Sequence, residues 1–357
     1  MRAHGLTYDT GFTSAGTTTH EPYDPDVVRR EMRIIRDELH CDAVRVTGGV
    51  QDRLETAARH AAAAGLEVWY SPFTNGLTQD ELLAFLSDGA ERAERLRGEG
   101  AEVVFLTGSE ISLFTHGLLP GDRLEERLAV LADPERMRAV LPLLPARVNA
   151  FLARAVPAVR ARFTGPVGYA SLPFEGVDWS VFDVVATDAG YRDATTPPGF
   201  GERLREQTSQ AKPFAVTEFG CTTHRGAAAL GGRGESIIEW DEHARPARLT
   251  TPVVRDEREQ AAYIRELLDL YDEAGVDTAF VNTFARRDLP TSADPERDFD
   301  TASFGIVKVL APGATGTAYP GLPWEPKAAF HALADYGRAK AAAGAREDQR
   351  TGRVRGS

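Results

Sequence analysis

Short apolar runs rich in valine, isoleucine and phenylalanine recur through this chain, and stretches with helical spacing separate them, a rhythm few architectures can satisfy. A first strand is expected over 4–11, ending near Tyr8 and Asp9. Asp24-Pro25 then opens a helix to about His40, whose Val27, Val28, Met32, Ile35 and Leu39 share one face. Residues 41–47 read as a second strand with Arg45 inside it, and Gly48-Gly49 turns into a helix over 51–64. A third strand follows over 66–73. Thr78 with Glu81 forms a capping box for the helix that runs to about Arg97.

The fourth strand, 101–111 (AEVVFLTGSEI), is a β-branched run that delivers Glu110. Strands five and six are expected over 166–171 and 183–188, with a long helix over 145–163 before them. Strand seven lies in KPFAVTEFG, 212–220, where a Lys-Pro turn leads into an apolar run and Phe219-Gly220 ends it just after Glu218. A helix over 256–275 precedes strand eight, 278–284, and a last helix is expected over 325–340. Eight strands, each followed by a helix, with no break in composition, predict an α/β protein: a single (β/α)8 TIM barrel over 1–340, with a disordered tail over 341–357. The long loops follow strands four, seven and eight and share the C-terminal rim. A doubly wound nucleotide-binding sheet is disfavoured, because Gly11–Gly16 lacks the GxGxxG spacing.

Composition narrows the partners. The formal net charge is −12, and the only lysines are Lys212, Lys308, Lys327 and Lys340. Nucleic acid and anionic membranes need a positive footprint, so neither is an expected partner. A small-molecule or oligosaccharide substrate fits better, and no feature specifies an oligomeric state. No apolar run approaches a membrane span or signal-peptide core, so a cytoplasmic location is the expectation. Cys41 and Cys221 stand apart with no CxxC or His/Cys spacing, which points to buried residues and not to a disulfide framework or structural zinc.

Two acids at the ends of two distant strands suit acid/base chemistry on a polar substrate, and a barrel would set strands four and seven across one mouth. The side chains expected around Glu110 and Glu218 are Asp9, Arg45, Ser109, Asp188, Tyr191, Asn282 and Phe284, with Trp240 in the loop after strand seven.

These residues resemble glycoside hydrolase clan A barrels. Gly108-Ser109-Glu110 and Thr217-Glu218-Phe219-Gly220 are similar to the clan's motifs at the ends of strands four and seven. Phe304–Val307 with Trp324–Phe330 is similar to its closing segment. The resemblance implies Glu110 as acid/base and Glu218 as nucleophile, Arg45 as the usual buried arginine, Tyr191 as its tyrosine, and no cofactor. It departs at Ser109, where the clan has an asparagine that holds a 2-hydroxyl, and at Phe284, where a tryptophan often floors the first sugar subsite.

The departures keep two alternatives open: a non-hydrolytic biosynthetic enzyme (cyclisation, elimination or isomerisation) using the same acids, and a non-catalytic ligand-binding barrel. A metal site from Asp9, Asp188, His20 and His224 is less expected, since no His-x-His follows strand one. The Gly-rich run 226–234 lacks the Lys-Ser/Thr of a phosphate loop and reads as a rim loop or lid.

Overall fold

The computed structural model describes the backbone of residues 1–354 and side chains as far as Gly344. Eight parallel strands close into a barrel in chain order: β1 Ala3–Asp9, β2 Ala43–Gly48, β3 Glu67–Pro72, β4 Val103–Ser109, β5 Val167–Ser171, β6 Val185–Thr187, β7 Phe214–Phe219 and β8 Thr278–Val281, which pairs back onto β1. The α/β barrel expected from the sequence is therefore the fold. The strands bury both faces, as a closed parallel sheet wrapped by helices leads one to expect, except in β6, where Val185 and Thr187 are half-buried.

Inside the barrel, Ala3, Ala43, Ala170, Ala186 and Ala215 leave room for Trp69 and Phe280, whose rings meet edge to face at 5.1 Å. This layer plugs the lower barrel and places the polar residues above it. Backbones also approach closely: a Cβ on Gly5 would lie 2.0 Å from the carbonyl oxygen of Ala43, so only glycine fits β1 there. Outside, the strands bury valine, leucine and phenylalanine against the helices.

Helix ends follow local chemistry. In α1, Pro25–Asp37, the Asp24 side chain accepts from the backbone of Asp26 at 2.9 Å. Helices α2 (Gln51–Ala63) and α3 (Gln79–Gly98) come next, and the Thr78/Glu81 capping box opens α3. Beyond the short helices Leu124–Ala132 and Pro134–Val140 come α4 (Leu144–Arg160), α5 (Phe200–Thr208), α6 (Glu257–Ala274) and α7 (Ala328–Val354). Gly275, at φ 78°, closes α6 in the left-handed conformation that favours glycine.

Three expectations change. The β5–β6 connection carries only the one-turn pieces Pro173–Glu175 and Trp179–Val181, so one strand lacks its helix. Glu325 and Pro326 are not helical: Trp324–Pro326 pairs antiparallel with Val307–Val309, and α7 begins after it. Residues 282–284 lie beyond the end of β8. Of the tail expected to be disordered over 341–357, residues 341–354 continue α7, and 355–357 lie outside the described residues. Among those described, no single helix is long and apolar enough to cross a membrane.

Candidate active site

Alternation along the strands would point Ser109 on β4 and Glu218 on β7 away from the interior, and a register slip turns each of them inward. In β4, Val104 and Leu106 face the interior while Val103 and Phe105 face the helices. The β4–β5 register then slips between Leu106 and Ser109, three steps on β4 against two on β5. This bulge, at Gly108 with φ 108°, turns Ser109 inward and sets Glu110 at the mouth. In β7, Val216 to Phe219 spans three residues against two on β8, and the slip swings Glu218 onto the interior.

Arg45 shares the inward face of β2 with Ala43 and is fully buried. Its guanidinium donates to Ser71 Oγ at 3.2 Å, Ser109 Oγ at 3.0 Å, the Thr217 carbonyl at 3.1 Å, Asp188 Oδ1 at 2.8 Å and Glu218 Oε1 at 2.9 Å. Five partners from four strands or strand ends leave it one geometry. Ser109 in turn donates to the buried Asp188. Glu218 Oε2 accepts from Tyr191 at 3.2 Å and from Asn282 at 3.3 Å. Asn282 also donates to the Tyr191 hydroxyl at 2.9 Å. Backbone bonds fix those two residues: Gly190 N–H donates to the Glu218 carbonyl, and Asn282 N–H to that of Phe219.

Glu110 is held differently. It sits in the left-handed region at φ 45°, ψ 42°, where a residue with a Cβ is strained by about 1–2 kcal/mol. The turn after it is tied down by a buried pair: Ile111 N–H donates to the Tyr169 hydroxyl at 3.0 Å, and Tyr169 donates to Glu175 at 2.8 Å. Glu175 also accepts from Ser112 N–H and Leu172 N–H. The Glu110 carboxylate itself accepts no hydrogen bond among the described residues. Burial first, then the charges of Asp188 and Glu218, push its pKa well above the ordinary carboxylate range. Burial and Asp188 push Glu218 up to about 7, against the opposing pull of Arg45 and Tyr191. The site thus presents one carboxyl group held at both oxygens and one without a hydrogen-bond partner among the described residues, shifted toward its protonated form.

Of the ten residues singled out in the sequence, Glu110, Glu218, Arg45, Ser109, Asp188, Tyr191 and Asn282 converge. Three do not join them. Asp9 accepts from Gly11 N–H, Phe12 N–H and Thr19, and so folds its own loop. Phe284 is buried between Tyr8, at 5.8 Å, and Trp324, at 5.4 Å, in the core under the last helix. Trp240 lies on the exposed hairpin Ile238–Trp240/Pro246–Leu249.

His20 bonds the Asp9 carbonyl, His224 contacts Thr222, and Asp188 is taken by Arg45. No three His, Cys, Asp or Glu side chains among the described residues are gathered to hold a metal. Glu175 escaped sequence reading, although Pro173 at the start of a one-turn helix, with glutamate two residues on and Gly176 at its end, is a capping signal. A hollow of about 710 Å³ lies elsewhere, against Pro120, Arg123, Val130 and Val140, and neither Glu110 nor Glu218 lines it.

No protein-family model matches the sequence, and no curated protein matches it. Among solved structures it is similar to a GH113 β-1,4-mannanase, with TM-score 0.57 and 15% identity over 95% of this chain and 99% of that one. It is also similar to the GH113 β-mannanase AaManA from Alicyclobacillus acidocaldarius in complex with ManMIm, with TM-score 0.57 and 17% identity over 94% and 96%. A Parabacteroides merdae β-glucuronidase matches with TM-score 0.53 and 15% identity over 94% of this chain and 36% of that one. The chain shares the barrel fold of these glycoside hydrolases.

Proposed function

We propose that the protein hydrolyses a glycosidic bond, with Glu110 giving its proton to the leaving oxygen and Glu218 attacking the anomeric carbon. Water then releases the sugar from Glu218, with Glu110 taking the water's proton. The observation that carries this reading is the contrast between the two acids. Arg45, Tyr191 and Asn282 immobilise both oxygens of Glu218, while the Glu110 carboxyl group is unengaged and shifted toward its protonated form. A nucleophile needs the first condition and a proton donor the second. The similarity in fold to mannanases and a glucuronidase supports a sugar as the substrate class.

A panel of 4-nitrophenyl glycosides tests it. Glu218→Gln is expected to lower kcat by at least about 10³-fold with the fold retained. A 2-fluoro glycoside is expected to label Glu218, read as added mass on its peptide. Full activity in Glu218→Gln sinks the assignment.

One observation favours a second reading. The Ser109 hydroxyl is engaged by Asp188 and Arg45, so the position where the resembled clan holds a 2-hydroxyl offers no free group. That suits a non-hydrolytic proton transfer by the same acids. Silence across the glycoside panel, with turnover of another polyhydroxylated metabolite abolished by Glu110→Gln, would establish it.

A further inference from the structure

Three phenylalanines, on the segments that follow β1, β3 and β4, form a cluster on the rim that carries Glu110. The Phe12 and Phe73 centroids are 4.8 Å apart, Phe73 and Phe114 4.8 Å, and Phe12 and Phe114 5.4 Å. Phe73 stands two residues past Ser71, continuing the row Trp69 and Ser71 that faces the interior. Phe114 ends the single helical turn that begins after Glu110, and its N–H donates to the Glu110 carbonyl at 3.2 Å. All three rings are half-buried. Among the described residues, none of them packs into the main barrel–helix core.

The loops that carry the rings are stitched together behind them. Asn75 N–H donates to the Thr13 carbonyl at 3.0 Å, Gly76 N–H to that of Phe114 at 3.0 Å, and His116 N–H to that of Leu77 at 2.9 Å. Thr13 and Thr74 join through their hydroxyls at 2.7 Å, and Arg127 donates to Asn75 at 2.8 Å. The wall is polar and cross-linked at its back and presents hydrocarbon rings. It is preorganised, so a ligand that covers it has little loop ordering to offset.

We propose that Phe12, Phe73 and Phe114 form the leaving-group site and that it takes an apolar, ring-sized aglycone. This rests on the reading of Glu110 as proton donor, because the donor must stand beside the leaving oxygen and Phe114 is one turn from it. Phenylalanine offers no hydrogen bond to sugar hydroxyls. Its rings gain from covering aromatic or alicyclic carbon, in offset or edge-on contact. The substrate class is therefore a glycoside of a small apolar alcohol or phenol, in preference to an extended polysaccharide.

The test compares naphthyl and fluoride glycosides of the same sugar, since fluoride leaves without an aglycone. Phe114→Ala and Phe73→Ala are expected to lower the kcat/KM ratio of naphthyl to fluoride substrate by about tenfold or more, with Phe114→Leu in between. Direct binding of 2-naphthol to the full chain, followed by its fluorescence, is expected to weaken in the same order. A ratio that stays within twofold in both alanine variants, with naphthol binding unaltered, overturns the proposal and leaves the rings as loop packing. Naphthol binding that depends on Phe114 in a protein that hydrolyses no glycoside supports the apolar site and overturns only the glycosidase reading.

Discussion

One guanidinium nitrogen of Arg45 lies 2.8 Å from Asp188 and 2.9 Å from Glu218, so a single buried cation holds together the carboxylates that end β6 and β7. Asp188 is fully buried and Glu218 nearly so. Burial and the neighbouring Asp188 charge make Glu218 gain a proton more readily than an ordinary carboxylate does.

Replacing the cation tests that arrangement. Arg45→Met is expected to destabilise the fold by about 3–5 kcal/mol at neutral pH, because it strands two buried acids without a counter-charge. The loss, read from urea midpoints, is expected to shrink at pH 5, where the stranded acids take up protons.

Activity should follow the Glu218 proton. Glu218 must be ionised to attack, and its pKa is raised to about 7, so kcat/KM is expected to rise with pH through about 7. It should fall only where Glu110 loses its proton, well above the ordinary carboxylate range. The two limbs belong to the coupled pair. Asp188→Asn removes a charge that raises both groups, and the acid limb is expected to move to lower pH. An unmoved limb would exclude Asp188 as its cause.

The same shift predicts a stability profile. Between its ordinary 4.5 and about 7, folded Glu218 keeps a proton that the unfolded chain releases. The stability this contributes is full below pH about 4.5 and is lost as pH rises through 7. Glu218→Gln is therefore expected to be more stable than the parent above pH 7 by about 1–3 kcal/mol, with the gap closing toward pH 4.5 in thermal melts.

Tyr169 and Glu175 hold the turn after Glu110 by bonding the amides of Ile111 and Ser112. Tyr169→Phe removes an acceptor from a buried N–H and loosens the strained turn. The expected result is a fall in kcat of about tenfold with KM little changed, since substrate contacts remain while the proton donor is misplaced. Equal changes in both constants would deny the positioning role.

A fifth test concerns the frame. Glu31 on α1 is buried and accepts from Arg287 at 2.5 Å and 2.6 Å, from Trp324 at 2.7 Å and from Tyr8, joining the first helix to β1 and the closing hairpin. Glu31→Leu leaves Arg287 as an unpaired buried charge. A loss of about 3–5 kcal/mol is expected in denaturant unfolding.

The alternation of strand and helix was legible because burial on both faces of a strand demands continuous apolar runs, and helices demand 3.6-residue spacing. Cap residues such as Asp24, Thr78 and Gly275 act within a turn or two of chain, so their signals are local. The motifs around Glu110 and Glu218 marked both acids for the same reason. Local pattern could not show that Phe284 is enclosed by Tyr8 and Trp324, or that Asp9 folds its own loop, since those outcomes depend on partners elsewhere in the chain. Glu175 became visible only once β5 lay beside β4 and brought Tyr169 under the Ile111 amide.

By itself the sequence determined the strand count, the closed parallel sheet and the two acids at strand ends, since each follows from periodicity or from residues a few positions apart. The tertiary structure alone decided that Glu218, and Ser109 beside Glu110, face the interior. A one-residue slip between neighbouring strands reverses the side on which a side chain emerges. Whether a strand slips depends on its pairing with a segment tens of residues away, which no run of adjacent residues records.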